Sequence, residues 1–177
     1  MKLAVVLLAA MPLLAENVCS VSKPGAQGIQ EAIDACAAKG GGVAYVAPGE
    51  YVSGPFWMKD NVELRLEAGA VIKLSQNGAD WPKGVRALVN SKGVKRIAIT
   101  GRGVFDGNAQ WAWEPVKRRD IEIDEEQENA RKAGVEMKRY YRTGDAQKYL
   151  FVLQESEDVR IEGVTIKNAP VWNVRIQ

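Results

Sequence analysis

The side chains in this sequence that could do chemistry are mainly carboxylates and tryptophans. Glu63, Glu67, Asp106, Glu155, Glu157, Asp158 and Glu162 lie in or beside short runs in which Val, Ile and Leu alternate with polar residues. Two carboxyl groups held apart can divide proton transfer between them, one as acid and one as base. Histidine is absent, which removes Ser-His-Asp and Cys-His nucleophilic systems and every His-containing metal site. The two cysteines, Cys19 and Cys36, cannot make a zinc site alone. They form one disulfide if the protein is exported, or stay as two thiols with Cys36 on a buried helix face. Calcium takes roughly six to eight oxygens, and no dense Asp cluster supplies them, so no cofactor or metal is expected. Trp57, Trp81, Trp111, Trp113 and Trp172 are many for 177 residues. A net charge of +2 without a long basic block gives little support to nucleic acid or an anionic membrane as a partner.

These side chains need elements to hold them. The opening "MKLAVVLLAAMPLLA" sets a Lys before an apolar run that is too short to span a bilayer and ends in a small residue. Residues 1–15 are therefore expected to be a signal peptide, with the remaining chain secreted or periplasmic. Next, "AQGIQEAIDACAAKGGG" carries Ile29, Ile33 and Cys36 on one face, beside Ala32 and Ala37. That spacing predicts an amphipathic helix over 27–39, ended by Gly40, Gly41 and Gly42.

From Val43 the period changes from that of a helix to two. "GVAYVAPGEYVSG" reads as two strands split at Pro48-Gly49. "NVELRLEAGAVIKLS", "VKRIAITGRGVFDGN" and "DVRIEGVTIKN" then repeat one form: a short alternating run, a Gly turn and a second alternating run. Val62/Leu64/Leu66, Ile97/Ile99 and Val159/Ile161 take equivalent inward positions in it. Val71, Val104 and Val164, or their neighbours, do so in the second run. Such repeats predict an all-β solenoid over 16–177, because one coil cannot bury its apolar face without the next. The helix then caps one end of the core. A flat sandwich of hairpins has less support, since Asn-Gly and Asp-Gly turns between paired runs are mostly missing, with Asp106-Gly107 a candidate.

The stretch 114–148 breaks the repeat. It is dense in charge of both signs and has a helical middle, with Asp124 expected as its N-cap and Lys138, Arg139 and Arg142 near its end. It reads as a long excursion from one corner of the solenoid, and long loops in compact domains tend to be functional.

Three segments carry a family resemblance. "IQEAIDACAAKGGGVAYVAPGEYVSGPFWMKDNVELRLEAGAVIKLS", "ITGRGVFDGNAQWAW" and "VRIEGVTIKNAPVWNV" closely resemble, in this order, the polygalacturonase family of pectin-degrading enzymes, glycoside hydrolase family 28. The resemblance runs over nearly all of 26–177. It implies a right-handed single-stranded parallel β-helix of the pectin lyase-like kind, and hydrolysis of polygalacturonate or related pectic chains with inversion. Inversion needs two carboxyl groups roughly 6.5–9.5 Å apart. The family supplies them from an Asn-x-Asp segment and an Asp-Asp pair, followed by Gly-His-Gly and Arg-Ile-Lys segments. None of these four segments is in this sequence, so no catalytic residue is assigned. The expectation is a truncated member, itself inactive.

On the same resemblance the partner is a pectic polysaccharide or oligogalacturonide. Aromatic faces stack on sugar rings, and Lys or Arg receives uronate carboxylates. Trp111, Trp113, Arg139, Arg142 and Lys167 are the carbohydrate-binding candidates, while Trp57 and Trp172 are expected to pack in or against the core. Equivalent positions on adjacent coils lie about 4.8 Å apart, which puts Asp106 beside Lys167 as an ion pair. An open last coil is expected to be covered by self-association, making the chain a homo-oligomer and leaving a non-catalytic, sugar-binding assembly module as the alternative function.

Overall fold

The computed structural model describes residues 17–135 and 148–177. The signal-peptide expectation for 1–15 falls outside them. The described chain opens with β1 (Val18–Ser20) and α1 (Gly25–Ala38). Three strands per coil follow: β2 (Gly42–Val46), β3 (Gly49–Ser53) and β4 (Phe56–Trp57), then β5 (Val62–Leu66), β6 (Ala70–Leu74) and β7 (Ala87–Lys92). The third coil is β8 (Lys95–Gly101), β9 (Val104–Asp106) and β10 (Tyr149–Gln154), with α2 (Gln110–Lys132) between the last two. The fourth is β11 (Glu157–Glu162), β12 (Thr165–Lys167) and β13 (Val174–Ile176).

Strands in the same place on successive coils pair in parallel and build three sheets, ordered β1-β2-β5-β8-β11, β3-β6-β9-β12 and β4-β7-β10-β13. This is the all-β solenoid that the repeats predict, in the right-handed parallel β-helix form that the family resemblance implies. Side chains alternate across a strand, so one parity of each run points inward. The first sheet stacks Leu64, Ile99 and Ile161. The second stacks Ile72, Phe105 and Ile166; the first two are the immediate neighbours of Val71 and Val104, while Ile166 lies two residues beyond Val164, which also packs against the core. The third stacks Phe56, Val89 and Phe151. Phe105 meets Phe151 edge-on with ring centroids 4.8 Å apart, a favoured arrangement of two aromatic quadrupoles.

Helix α1 lays Ile29, Ala32, Ile33 and Cys36 over the first coil, as its spacing predicts. Strand β1, too short to show a period, adds itself to the outer edge of β2. A Cys19–Cys36 disulfide joins β1 to α1, which settles the choice left open between bridge and thiols. The side chain of Gln30 closes another edge. Its amide oxygen accepts from the Trp57 N–H at 2.7 Å and its amide nitrogen donates to the Trp57 carbonyl at 3.1 Å. Gln30 thus gives β4 the two bonds that a neighbouring strand would give, and an edge satisfied in this way is no longer a template for pairing.

The excursion differs from expectation. Helix α2 starts at Gln110 behind Ala109, so Asp124 is mid-helix and caps nothing. Tertiary anchoring explains the early start: Ala109 is buried, and the Trp113 indole N–H donates to the Pro170 carbonyl of the next coil at 3.2 Å. The helix ends at Lys132, with Gly134 in the left-handed region beyond it. Lys138, expected near the helix end, lies outside the described residues.

Candidate functional site

Glu63, Asp106, Glu157 and Glu162 on the coils are engaged by hydrogen-bond donors or cations. Glu63 stands outward on β5 and accepts from Arg65 Nε at 2.8 Å and from the Thr100 hydroxyl, with Arg160 Nη2 3.6 Å away on the fourth coil. Burial alone would raise its pKa. The Arg65 and Thr100 hydrogen bonds, with the charges of Arg65 and Arg160, outweigh burial and hold it below the ordinary glutamate value. Asp106 stands outward on β9 between Lys73 and Lys167 in the ladder. Its Oδ1 accepts from the Asn108 N–H at 2.9 Å and from Asn168 Nδ2 at 3.1 Å, and Lys167 Nζ is 3.6 Å from Oδ2. Here too burial, which would raise the pKa, is overcome by these bonds and by the Lys167 charge. Glu157 pairs with Lys95 at 2.9 Å and Glu162 with Arg160 at 3.0 Å. Among the described strand pairings, none sets one carboxylate opposite another. A general acid must keep its proton at working pH, whereas Glu63 and Asp106 are both held as anions.

The predicted binding residues separate. Lys167 is committed to Asp106, as the repeat alignment anticipates. Trp113 is half-buried, with its N–H spent on Pro170. Arg139, Arg142 and the side chain of Trp111 lie outside the described residues.

A different group comes together where the second sheet turns into the third. The connections between β6 and β7, β9 and β10, and β12 and β13 all leave from this corner. The first carries Trp81, whose indole N–H donates to the Ser75 carbonyl at 3.0 Å. Lys148, at the end of the second, sets its ammonium 4.1 Å from the Trp81 ring centroid. Burial lowers the Lys148 pKa against the opposing pull of Asp80. The third carries Trp172, with its ring 5.8 Å from that of Tyr149 and tilted by 35°. The Arg175 guanidinium lies 5.5 Å from the Trp172 centroid and 5.7 Å from the Tyr149 centroid, within cation–π range.

Trp172 is 52% exposed and Trp57 38%, so the expectation that both pack in or against the core is corrected. Each sits where the coil leaves no inward position for it: Trp172 in a connection, Trp57 at the outward parity of β4. The signal for the corner was that Trp81 and Trp172 both precede the third strand of their coils.

No family model matches the chain. It is 31% identical over 120 residues to the "Exo-poly-alpha-D-galacturonosidase" of Dickeya chrysanthemi, covering 52% of this chain and 20% of that protein. It is 28% identical over 153 residues to a Vitis vinifera protein named "Probable polygalacturonase", covering 77% and 27% respectively. The chain therefore spans between about a fifth and about a quarter of the curated relatives it matches. Among solved structures, the family 28 exopolygalacturonase of Yersinia enterocolitica superposes with a TM-score of 0.66 at 26% identity, over 91% of this chain and 36% of that one. The chain is thus a relative, over part of their length, of the polygalacturonases of glycoside hydrolase family 28.

Proposed function

We propose that this chain binds the galacturonate backbone of pectin at the Trp172–Tyr149–Arg175 corner and does not hydrolyse it unaided. The names of its relatives supply the substrate class. The observation that carries the reading is the exposed Trp172 ring with Arg175 5.5 Å from its centroid. A sugar ring stacks on such a face, and its carboxylate finds a guanidinium beside it. Lack of turnover rests on the carboxylates: each outward Glu or Asp with a described ladder partner faces a neutral or basic side chain, and two of them are locked as anions. The Cys19–Cys36 bridge supports action outside the reducing cytosol.

The test has two parts. Reducing-end release from polygalacturonate is expected to equal that of a heat-killed control, and clear turnover overturns the inactive reading. Calorimetric titration with oligogalacturonides is expected to show binding that Trp172→Ala and Arg175→Ala each weaken at least about tenfold, the loss of roughly 1.4 kcal/mol. Wild-type affinity in either variant overturns the site.

A second reading, the oligomeric module, is favoured by the fourth coil. Val159, Val174 and Ile176 are exposed there, Ile176 at 79%, and Val159 and Ile176 line a cavity of ≈ 340 Å³ together with Leu153 and Ile161. A second copy of the chain seated on this apolar face buries these side chains.

A further inference from the structure

Trp57 continues the same face away from the corner. It pairs with Asn90, Asn90 with Val152 and Val152 with Arg175, so the four share one outward line across the third sheet. Their neighbours Phe56, Val89 and Phe151 are buried beneath. Three strand-to-strand steps of about 4.8 Å place Trp57 about 14 Å from Arg175. The strip between is uncharged, and Asn90 is occupied below by bonds to the Phe56 and Ala87 carbonyls at 3.3 and 2.8 Å.

At its far end this line opens into a pocket of ≈ 430 Å³ between α1 and the first coil, lined by Trp57, Pro55, Lys59, Gln27, Gln30 and Asp34. The Trp57 backbone is held by Gln30 on one edge and by β7 on the other, so its ring stands on a rigid support. Lys59 approaches Asp34 only to 3.8 Å, with both side chains about half exposed, and a pair so solvated holds its cation weakly. An exposed indole and a weakly held cation supply two of the things a uronate ring needs, a face to stack on and a counter-charge.

We propose that Trp57 and Lys59 form a distal subsite for the far end of a galacturonate chain, so that the face measures chain length. This rests on the corner reading above and adds a second anchor to it. Two anchors on one rigid face reward only ligands long enough to reach both.

The test is titration of a galacturonate series from dimer to hexamer against wild type, Trp57→Ala, Trp57→Tyr and Trp172→Ala. Wild-type affinity is expected to step up once the oligomer reaches both ends. Trp57→Ala is expected to bind short oligomers as wild type does and to lose the step, about tenfold for the longest. Trp57→Tyr, which keeps an aromatic face, restores most of the step, and this separates a stacking role from one in folding. Trp172→Ala weakens every length. If the step survives Trp57→Ala, or short and long oligomers weaken alike in that variant, the distal subsite is wrong while the corner stands. If wild type binds none of the series, the corner reading falls and the subsite with it.

Discussion

Glu63 shows how much one side chain can join. It lies between Arg65 on its own strand, Thr100 on the next coil and Arg160 on the one after. Because its folded pKa is depressed, its contribution is complete above the unfolded glutamate value of about 4.3 and is lost as pH falls through the lower folded value. Glu63→Gln is expected to cost about 1.5–3 kcal/mol at pH 7, the range for a hydrogen bond to a charged group. The same variant should flatten the acid limb of a urea-unfolding series run from pH 6 to pH 3. A deficit that stays constant over that range would show that the carboxylate's charge is irrelevant. Glu155 works against the fold. It occupies φ 47°, one step beyond the Lys92–Gln154 register pair, where the preceding coil has Gly93 at φ 64°. A side chain in the left-handed region costs roughly 1–2 kcal/mol. Glu155→Gly is therefore expected to raise the urea midpoint, by about 1 kcal/mol in stability after the added freedom of the unfolded chain is subtracted.

At the scale of elements, the corners set the stacking distance. Gly107 follows β9 at the turn that carries α2 away, and a Cβ built there would overlap the Asn168 carbonyl of the fourth coil. The same turn is held by the Gly107 N–H donating to the Lys167 carbonyl at 2.8 Å. Gly107→Ala is expected to lower stability by about 1–3 kcal/mol, because two backbones at that spacing have no room to relax. Calorimetric melting reads this directly, and an unchanged melting temperature would mean that the corner gives way. The cap follows the opposite logic. Helix α1, β1 and the Gln30 amide close one end of the solenoid with local elements joined by one disulfide.

For the whole molecule, the first and fourth coils differ in what covers them. Beneath α1 the core is closed, while on the fourth coil Val174 and Ile176 face solvent. Under the oligomer reading, Ile176→Asp places a charge at the centre of the covered surface. Sedimentation velocity is expected to show a discrete oligomer for wild type and a monomer for this variant; a wild-type monomer at tens of micromolar would end that reading. The repeat itself was readable in the sequence because it is local: each run has a single apolar parity, and that parity has one place to go, inward onto the next coil. The helix expected over 27–39, found at Gly25–Ala38, followed from its own helical spacing, and the Asp106–Lys167 pair from the strand repeat, because a parallel register carries one coil's position onto the next. The period could not show where the side chains of the connections end up. Trp81, Lys148, Tyr149, Trp172 and Arg175 belong to connections and strands far apart in the chain, and the stacking of coils with unequal loops leaving from one corner brings them together. The early start of α2 is of the same kind, decided by Trp113 reaching Pro170 on the next coil. What the sequence by itself determined was the coil and its inward face, which depend on near neighbours. The tertiary structure decided the binding corner, the exposure of Trp57 and Trp172 and the pairing of Cys19 with Cys36, because each depends on distances between residues that only stacking makes neighbours.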